Sequence, residues 1–245
     1  MRYSFSDKVA VRFIMIILLS VFSESVILTA QQSNKSPVPQ IAVFDIDATP
    51  PVGSYIAYNP VKNTWDMGLR ARGIVLTGAG KPILLCSIDW IGIGNDSQDE
   101  FKKVLSEAAG TTPDRVAVHT IHQHDAPICD FGAEKYLLSK GLDPMSFEST
   151  FTRKILYQLA DAVRAAMKEQ QPVTHIGMGE AEVFKVASNR RIAGPDGKIR
   201  ATRYTTTKDS ALRAEPEGLI DRMVSLVSFW NGDKPLAVLS YYACH

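Results

Sequence analysis

Apolar positions change period along this chain, and the changes divide it into elements. Ile41 to Ile46 (IAVFDI) is a strand-like run closed by the turn-forming ATPPVGS. Two further β-rich runs, RGIVLT (72–77) and ILLCSID (83–89), are separated by GAGKP, which predicts a hairpin whose second strand ends on Asp89. From 97 to 109 the period lengthens. Phe101, Val104, Leu105 and Ala108 share one helical face, with Asn95, Asp96 or Ser97 as N-cap and Gly110 as the stop. RVAVHT (115–120) reads as the next strand. Phe151, Ile155, Leu159, Val163 and Met167 then recur every four residues, an apolar stripe that predicts a helix over 148–169. Residues 173–187 are β-like again and 192–216 read as a polar loop. MVSLVSFW (223–230) and PLAVLSYY (235–242), joined by NGDK, form a second hairpin. The order β-β-β-α-β-α-β-β-β predicts an α/β fold built on a mixed sheet with flanking helices.

The first residues break this pattern. Arg2, Lys8 and Arg12 precede the apolar run Phe13 to Phe22, and the more mixed SESVILTA ends on small Ala30. That layout predicts a secretory signal peptide over 1–30, a linker over 31–40, one globular domain over 41–245, and a secreted or periplasmic location. The apolar core is shorter than the roughly 20 residues that a bilayer span needs. Without residues 1–30 the net charge moves from +1 to zero, because Arg2, Lys8 and Arg12 leave together with Asp7 and Glu24. Such a balance gives no footing for nucleic acid, which calls for a basic patch. The three cysteines fit no metal-binding spacing. Cys86, inside ILLCSID, reads as a buried core thiol, and a Cys129–Cys244 disulfide is one option for an exported chain.

Chemistry concentrates in HTIHQHDAP (119–127), which holds three of the five histidines. In extended backbone His122 and His124 point to one side and His119 to the other. Two imidazoles just past a strand end can share a metal, or one can ligate while the other moves protons. His119 reads as a strand residue facing the core or backing the site, and His175, alone in PVTHIGMG, as structural. LSYYACH repeats the theme, with an apolar strand that delivers His245. In VASNRRIAG, Asn189, Arg190 and Arg191 read either as a solvated basic pair or as groups aimed at an oxyanion or polar head group.

These motifs, in this order, resemble the neutral/alkaline non-lysosomal ceramidases, specifically their N-terminal catalytic domain. IHQHDAP is similar to that family's His-Thr-His-Ser-Gly-Pro element, SNRR to its Asn-Arg element, and LSYYACH to the strand that carries a terminal His. FDIDATPPVG and LRARGIVLTGAGKPILLCSIDWIGI resemble the family's opening and first hairpin, so the likeness spans 41–245. The resemblance implies a zinc-dependent amidohydrolase acting on the N-acyl amide of ceramide-like lipids. It places zinc on His122 and His245, makes His124 and Arg190 catalytic, and puts Asn189 and Arg191 at the substrate. It also implies a lipid-like small-molecule substrate and peripheral contact with a membrane surface. Asp125-Ala126 replaces the family's Ser-Gly, and Arg191 replaces a small residue. The family's Glu and Tyr zinc ligands fall beyond the equivalent of His245, which implies that 41–245 is an incomplete catalytic domain, inactive alone.

Three other readings compete. One is an exported, non-catalytic remnant of the same scaffold, and another is a metallohydrolase acting on a different amide or ester. The metallo-β-lactamase pattern H-x-H-x-D-H fails on spacing, since Asp125 follows His124 directly and no His comes next.

Overall fold

The alternation of buried positions along the first three long strands fixes the layering. In a computed structural model that describes residues 38–63 and 67–244, β1 (Gln40–Asp47), β2 (Arg70–Thr77) and β3 (Ile83–Ile88) pair antiparallel. Ala42, Phe44, Val75, Leu84 and Cys86 point to one face, whereas Ile41, Ile74, Leu76 and Leu85 point to the other. Each face buries its own cluster, as a two-residue side-chain period requires. The predicted signal peptide (1–30), most of the predicted linker and His245 lie outside the described residues.

β5 (Val116–Thr120) joins this sheet parallel to β3, and β7 (Gln171–Pro172) closes the other edge, giving the order β5-β3-β2-β1-β7. The predicted mixed sheet is present. Gly73 sits at a close approach in the β2–β3 pairing. A Cβ there would lie 2.1 Å from the Leu85 carbonyl oxygen and 2.5 Å from Phe44.

Helices α1 (Asn95–Ala109) and α3 (Thr150–Ala166) cover the first face. α1 ends at Gly110, whose φ of 66° suits a left-handed cap, and its N–H donates to Ser106 and Glu107. The predicted side-chain N-cap is absent. Gly94 occupies that position, because Asn95 donates instead to Asp130 (2.6 Å) and the Ser97 hydroxyl accepts from Phe131 N–H (2.7 Å). α3 buries Ile155, Leu156, Leu159, Ala160 and Val163, and each large apolar side chain so buried contributes about 1.5–3 kcal/mol.

Helix α2 (Phe131–Ser139) follows β4 (Gly92–Ile93) and β6 (Ile128–Cys129), a short parallel pair. No apolar stripe announced α2, and its one buried residue is Glu134. That carboxylate accepts from Ser149 N–H (2.8 Å) and pairs with Arg153 (2.5 Å) on α3. The Arg153 guanidinium, which also covers the Phe131 ring at 4.3 Å, has its pKa raised by that carboxylate.

A second, three-stranded antiparallel sheet in the order β12-β11-β8 packs on the other face. It comprises β8 (His175–Glu182), β11 (Met223–Asn231) and β12 (Lys234–Tyr242). The predicted NGDK hairpin is present, with Gly232 at φ 56°. Phe229, Val227 and Leu239 meet Ile41, Ile74 and Leu85 across the interface. Helices therefore flank one face of the mixed sheet, and strands flank the other. The predicted polar loop holds β9 (Arg191–Ala193), β10 (Ile199–Thr202) and a one-turn helix, α4 (Ser210–Ala214).

Cys86 is a buried core thiol as expected, and burial pushes its pKa up. The Cys129–Cys244 disulfide is not formed. Cys129 is buried in the helix-side core while Cys244 is exposed.

Candidate functional site

The two central imidazoles come together by a route other than strand alternation. β5 ends at Thr120, and after Ile121 N–H donates to Ile88 (3.2 Å) the chain leaves the sheet. His122 then adopts φ 61°, a left-handed conformation that is uncommon for a residue with a side chain. Its ring meets that of His124 edge to face, with centroids 4.9 Å apart. The expected shared side is real, but a sharp break in the backbone makes it.

His122 Nδ1 lies 2.8 Å from the carbonyl oxygen of Ile91. A carbonyl only accepts, so Nδ1 donates and the neutral ring keeps its lone pair on Nε2. This arrangement is common for metal-binding histidines, where the second nitrogen is oriented by a backbone carbonyl or carboxylate. His124 has a different neighbour. Ala57 N–H donates to Ala126 (3.0 Å), which ties the loop after β1 to the histidine loop and sets Tyr58 beside His124, ring centroids 5.8 Å apart. Tyr58 gave no signal in the sequence.

His122 and His124 line a groove of about 1060 Å³ whose far side is built from 185–217. Arg190 lines it as well, and so does Cys244. Thus the C-terminal end of the β12 segment reaches the same groove as the histidine loop, and the residue before His245 is on its wall. Asn189 and Arg191 line an adjoining cavity of about 450 Å³, which shares Arg190 and Cys244 with the groove. The side chain of Asn189 is engaged on both sides: its amide donates to the distant Leu219 carbonyl (3.2 Å), and its oxygen accepts from Arg191 N–H (2.9 Å) in its own turn. Asn189 shapes the turn that presents Arg190.

The wall itself is organised by Arg203. Its guanidinium donates to the carbonyls of Leu212 (3.2 Å), Glu215 (2.6 Å), Asn189 (3.4 Å) and Pro216 (3.1 Å). Its own N–H donates to Arg190 (2.7 Å). A single side chain satisfies carbonyls from both ends of the irregular segment, which has few ladder bonds of its own. The sequence predicts only a polar loop for 192–216, and the clustering of arginines at 190, 191, 200, 203 and 213 is the one hint of more.

His119 and His175 stand apart from the groove. His119 lies on β5 as predicted, but it is exposed, since Val116 and Val118 take the buried positions of that edge strand. His175 stacks on Trp230, ring centroids 5.9 Å apart and planes within 7°. Asp89, at the end of β3, accepts from Arg70 N–H (2.9 Å) and lies 3.8 Å from Arg72, holding strand ends together.

The donor set fits zinc in kind. Two imidazoles converge, and one has its second nitrogen committed to a carbonyl. Zinc sites take at least three protein ligands, and no group of three His, Cys, Asp or Glu stands close enough to hold a metal among the described residues.

Comparison with solved structures shows what kind of fold this is. Neutral ceramidase from Pseudomonas aeruginosa matches with a TM-score of 0.57 and 18% identity, over 83% of this chain and 31% of that one. A ceramidase complexed with C2 matches with a TM-score of 0.53, at the same identity and coverage. The fold is ceramidase-like. This chain spans less than a third of the length of either protein, 31% in each case. No family model matches the chain, and no curated protein matches it.

Proposed function

We propose that this chain forms part of a zinc-dependent amidohydrolase site of the ceramidase kind, acting on a lipid-like amide. One observation carries the reading: His122 and His124 meet ring to ring on a groove that Arg190 and Cys244 also line. The ceramidase-like scaffold supports it. His122, through Nε2, and His245 would hold the metal, which when bound supplies Lewis acidity toward a carbonyl and toward water. His124 sits beside His122 and is placed to take a proton from the attacking water and return it to the leaving nitrogen. Arg190 offers a guanidinium to the oxygen on which negative charge develops. Asn189 holds the turn beneath it, and Arg191 extends the cationic surface into the adjoining cavity.

Exposed apolar side chains near the site, Tyr58 against His124 and Ile121 and Val186 on the groove, favour a lipid-like substrate presented at a membrane surface. No helix among the described residues is long and apolar enough to cross a membrane. The N-terminal pattern supports export, to the periplasm or beyond.

The test is a calorimetric zinc titration of the full-length protein and its His122→Ala variant, paired with an assay for fatty acid released from a short-chain ceramide. Zinc affinity should collapse in the variant and hydrolysis should go with it. Equal affinity in both proteins would refute the assignment.

A further inference from the structure

The charges on the groove are unequal, and the way they are paired gives the imbalance a purpose. Lys185, Arg190, Arg203 and Arg213 line the groove, against two carboxylates, Glu215 and Glu217. Both carboxylates are already neutralised from outside it. Glu215 pairs with Arg200, and Glu217 pairs with Arg222 (2.9 Å), neither of which lines the groove. Lys185 and Arg213, by contrast, have no carboxylate within ion-pair distance among the described residues.

The backbone holds this arrangement. Lys185 takes a left-handed φ of 62°, and its N–H donates to Glu217 (3.0 Å), the same carboxylate that Arg222 holds. Between the cations, Tyr204 and Thr205 to Thr207 add hydroxyls, while Ile121 and Val186 supply apolar surface. A concave wall with surplus positive charge concentrates anions and strengthens charge-assisted hydrogen bonds to them.

We infer that this groove selects amides whose amine portion carries an anionic group, of the class of N-acyl amino acids, over amides with a neutral head group. The inference rests on the amidohydrolase reading for its reaction but not for its charge preference. In that reaction water adds its oxygen to the acyl carbon, the C–N bond breaks, and the remaining proton goes to the leaving amine. The products are a fatty acid and an amino acid. Lys185 and Arg213 bind the carboxylate of the substrate and of the amino acid released.

The experiment compares two ligands of equal chain length by calorimetry on the full-length protein: N-lauroylglycine and its uncharged counterpart N-lauroylethanolamine, both below their aggregation concentrations. The acid should bind about tenfold more tightly at low salt, a preference that shrinks as ionic strength rises. Lys185→Gln and Arg213→Gln should each weaken the acid about threefold and leave the ethanolamide unchanged. Equal affinities, or a preference that survives both substitutions, overturn the inference. So does inorganic phosphate binding as tightly as N-lauroylglycine, since the groove would then be a small-anion site. Cleavage separates this from the function above. A charge preference without zinc-dependent amide cleavage sinks the hydrolase reading and leaves the selectivity standing. Cleavage of both amides at equal efficiency does the opposite.

Discussion

His122 and Ile91 are joined at 2.8 Å, imidazole Nδ1 to backbone carbonyl, across the space between β4 and the end of β5. Ile91 is itself fixed, since its N–H donates to Pro127 (3.1 Å) and Thr120 contributes a long hydroxyl bond to its carbonyl (3.4 Å). The ring therefore inherits the rigidity of two strand ends despite its left-handed backbone.

The tautomer of His122 follows from that bond. Nitrogen-15 spectra at neutral pH should show the proton of the neutral ring on Nδ1, with Nε2 unprotonated. A signal for the opposite tautomer would mean that the carbonyl contact does not orient the ring.

His124 is expected to matter to the chemistry more than to substrate binding. His124→Ala should lower kcat for amide cleavage about 10²–10⁴-fold, the usual span for losing a general acid–base group, with a smaller change in KM. An unchanged kcat would remove His124 from proton transfer.

Replacing Arg203 should loosen the far wall. Arg203→Met strands several carbonyls at once and should cost about 2–3 kcal/mol in urea unfolding, with the affinity for N-lauroylglycine falling alongside. A full-strength groove in that variant would show that the segment holds its shape without the guanidinium.

Thiol reactivity should divide the three cysteines. Burial raises the pKa of Cys86 and of Cys129, whereas Cys244 is exposed on the groove. A thiol-specific reagent at pH 8 should label Cys244 rapidly in the folded protein and the other two only after denaturation. A groove ligand should slow the labelling.

On the acid side, Asp47 supplies a local signature. Hydrogen bonds from Thr49, including its N–H at 2.9 Å, hold the Asp47 pKa below its ordinary 3.8. A carboxylate with a lowered folded-state pKa stabilises the fold above the unfolded value and loses that contribution as pH falls through the folded one. The stability difference between wild type and Asp47→Asn should therefore shrink as pH drops below about 3.8, followed by acid unfolding of both proteins. A pH-independent difference would count against the Thr49 bonds.

Much of this architecture was legible in the chain, for identifiable reasons. The β2–β3 hairpin announced itself through its glycines, and α3 through an apolar stripe that goes straight into the core. α2 did not, because what it buries is Glu134, and an ion pair leaves no hydrophobic period. The separation of β8, β11 and β12 into a second sheet was equally hidden, since period-two patterns say which face is buried but not what buries it. At the site, the histidine pair was visible by spacing although the backbone that unites it is not extended. The far wall was invisible as a wall. Arg203 makes its bonds to carbonyls, which every residue has, so the cluster of arginines between 190 and 213 hinted at a basic segment but not at which carbonyls it would hold.

The groove draws its reactive imidazoles from one short stretch, 121–124, and most of its opposite side from another, 185–217. Arg190 apart, chemistry and taste are thus encoded in separate paragraphs of the gene. Directed evolution confined to the second could retune which molecules are welcomed without rewriting how they are cut, with positions 190 and 203 kept constant as the spine of the library.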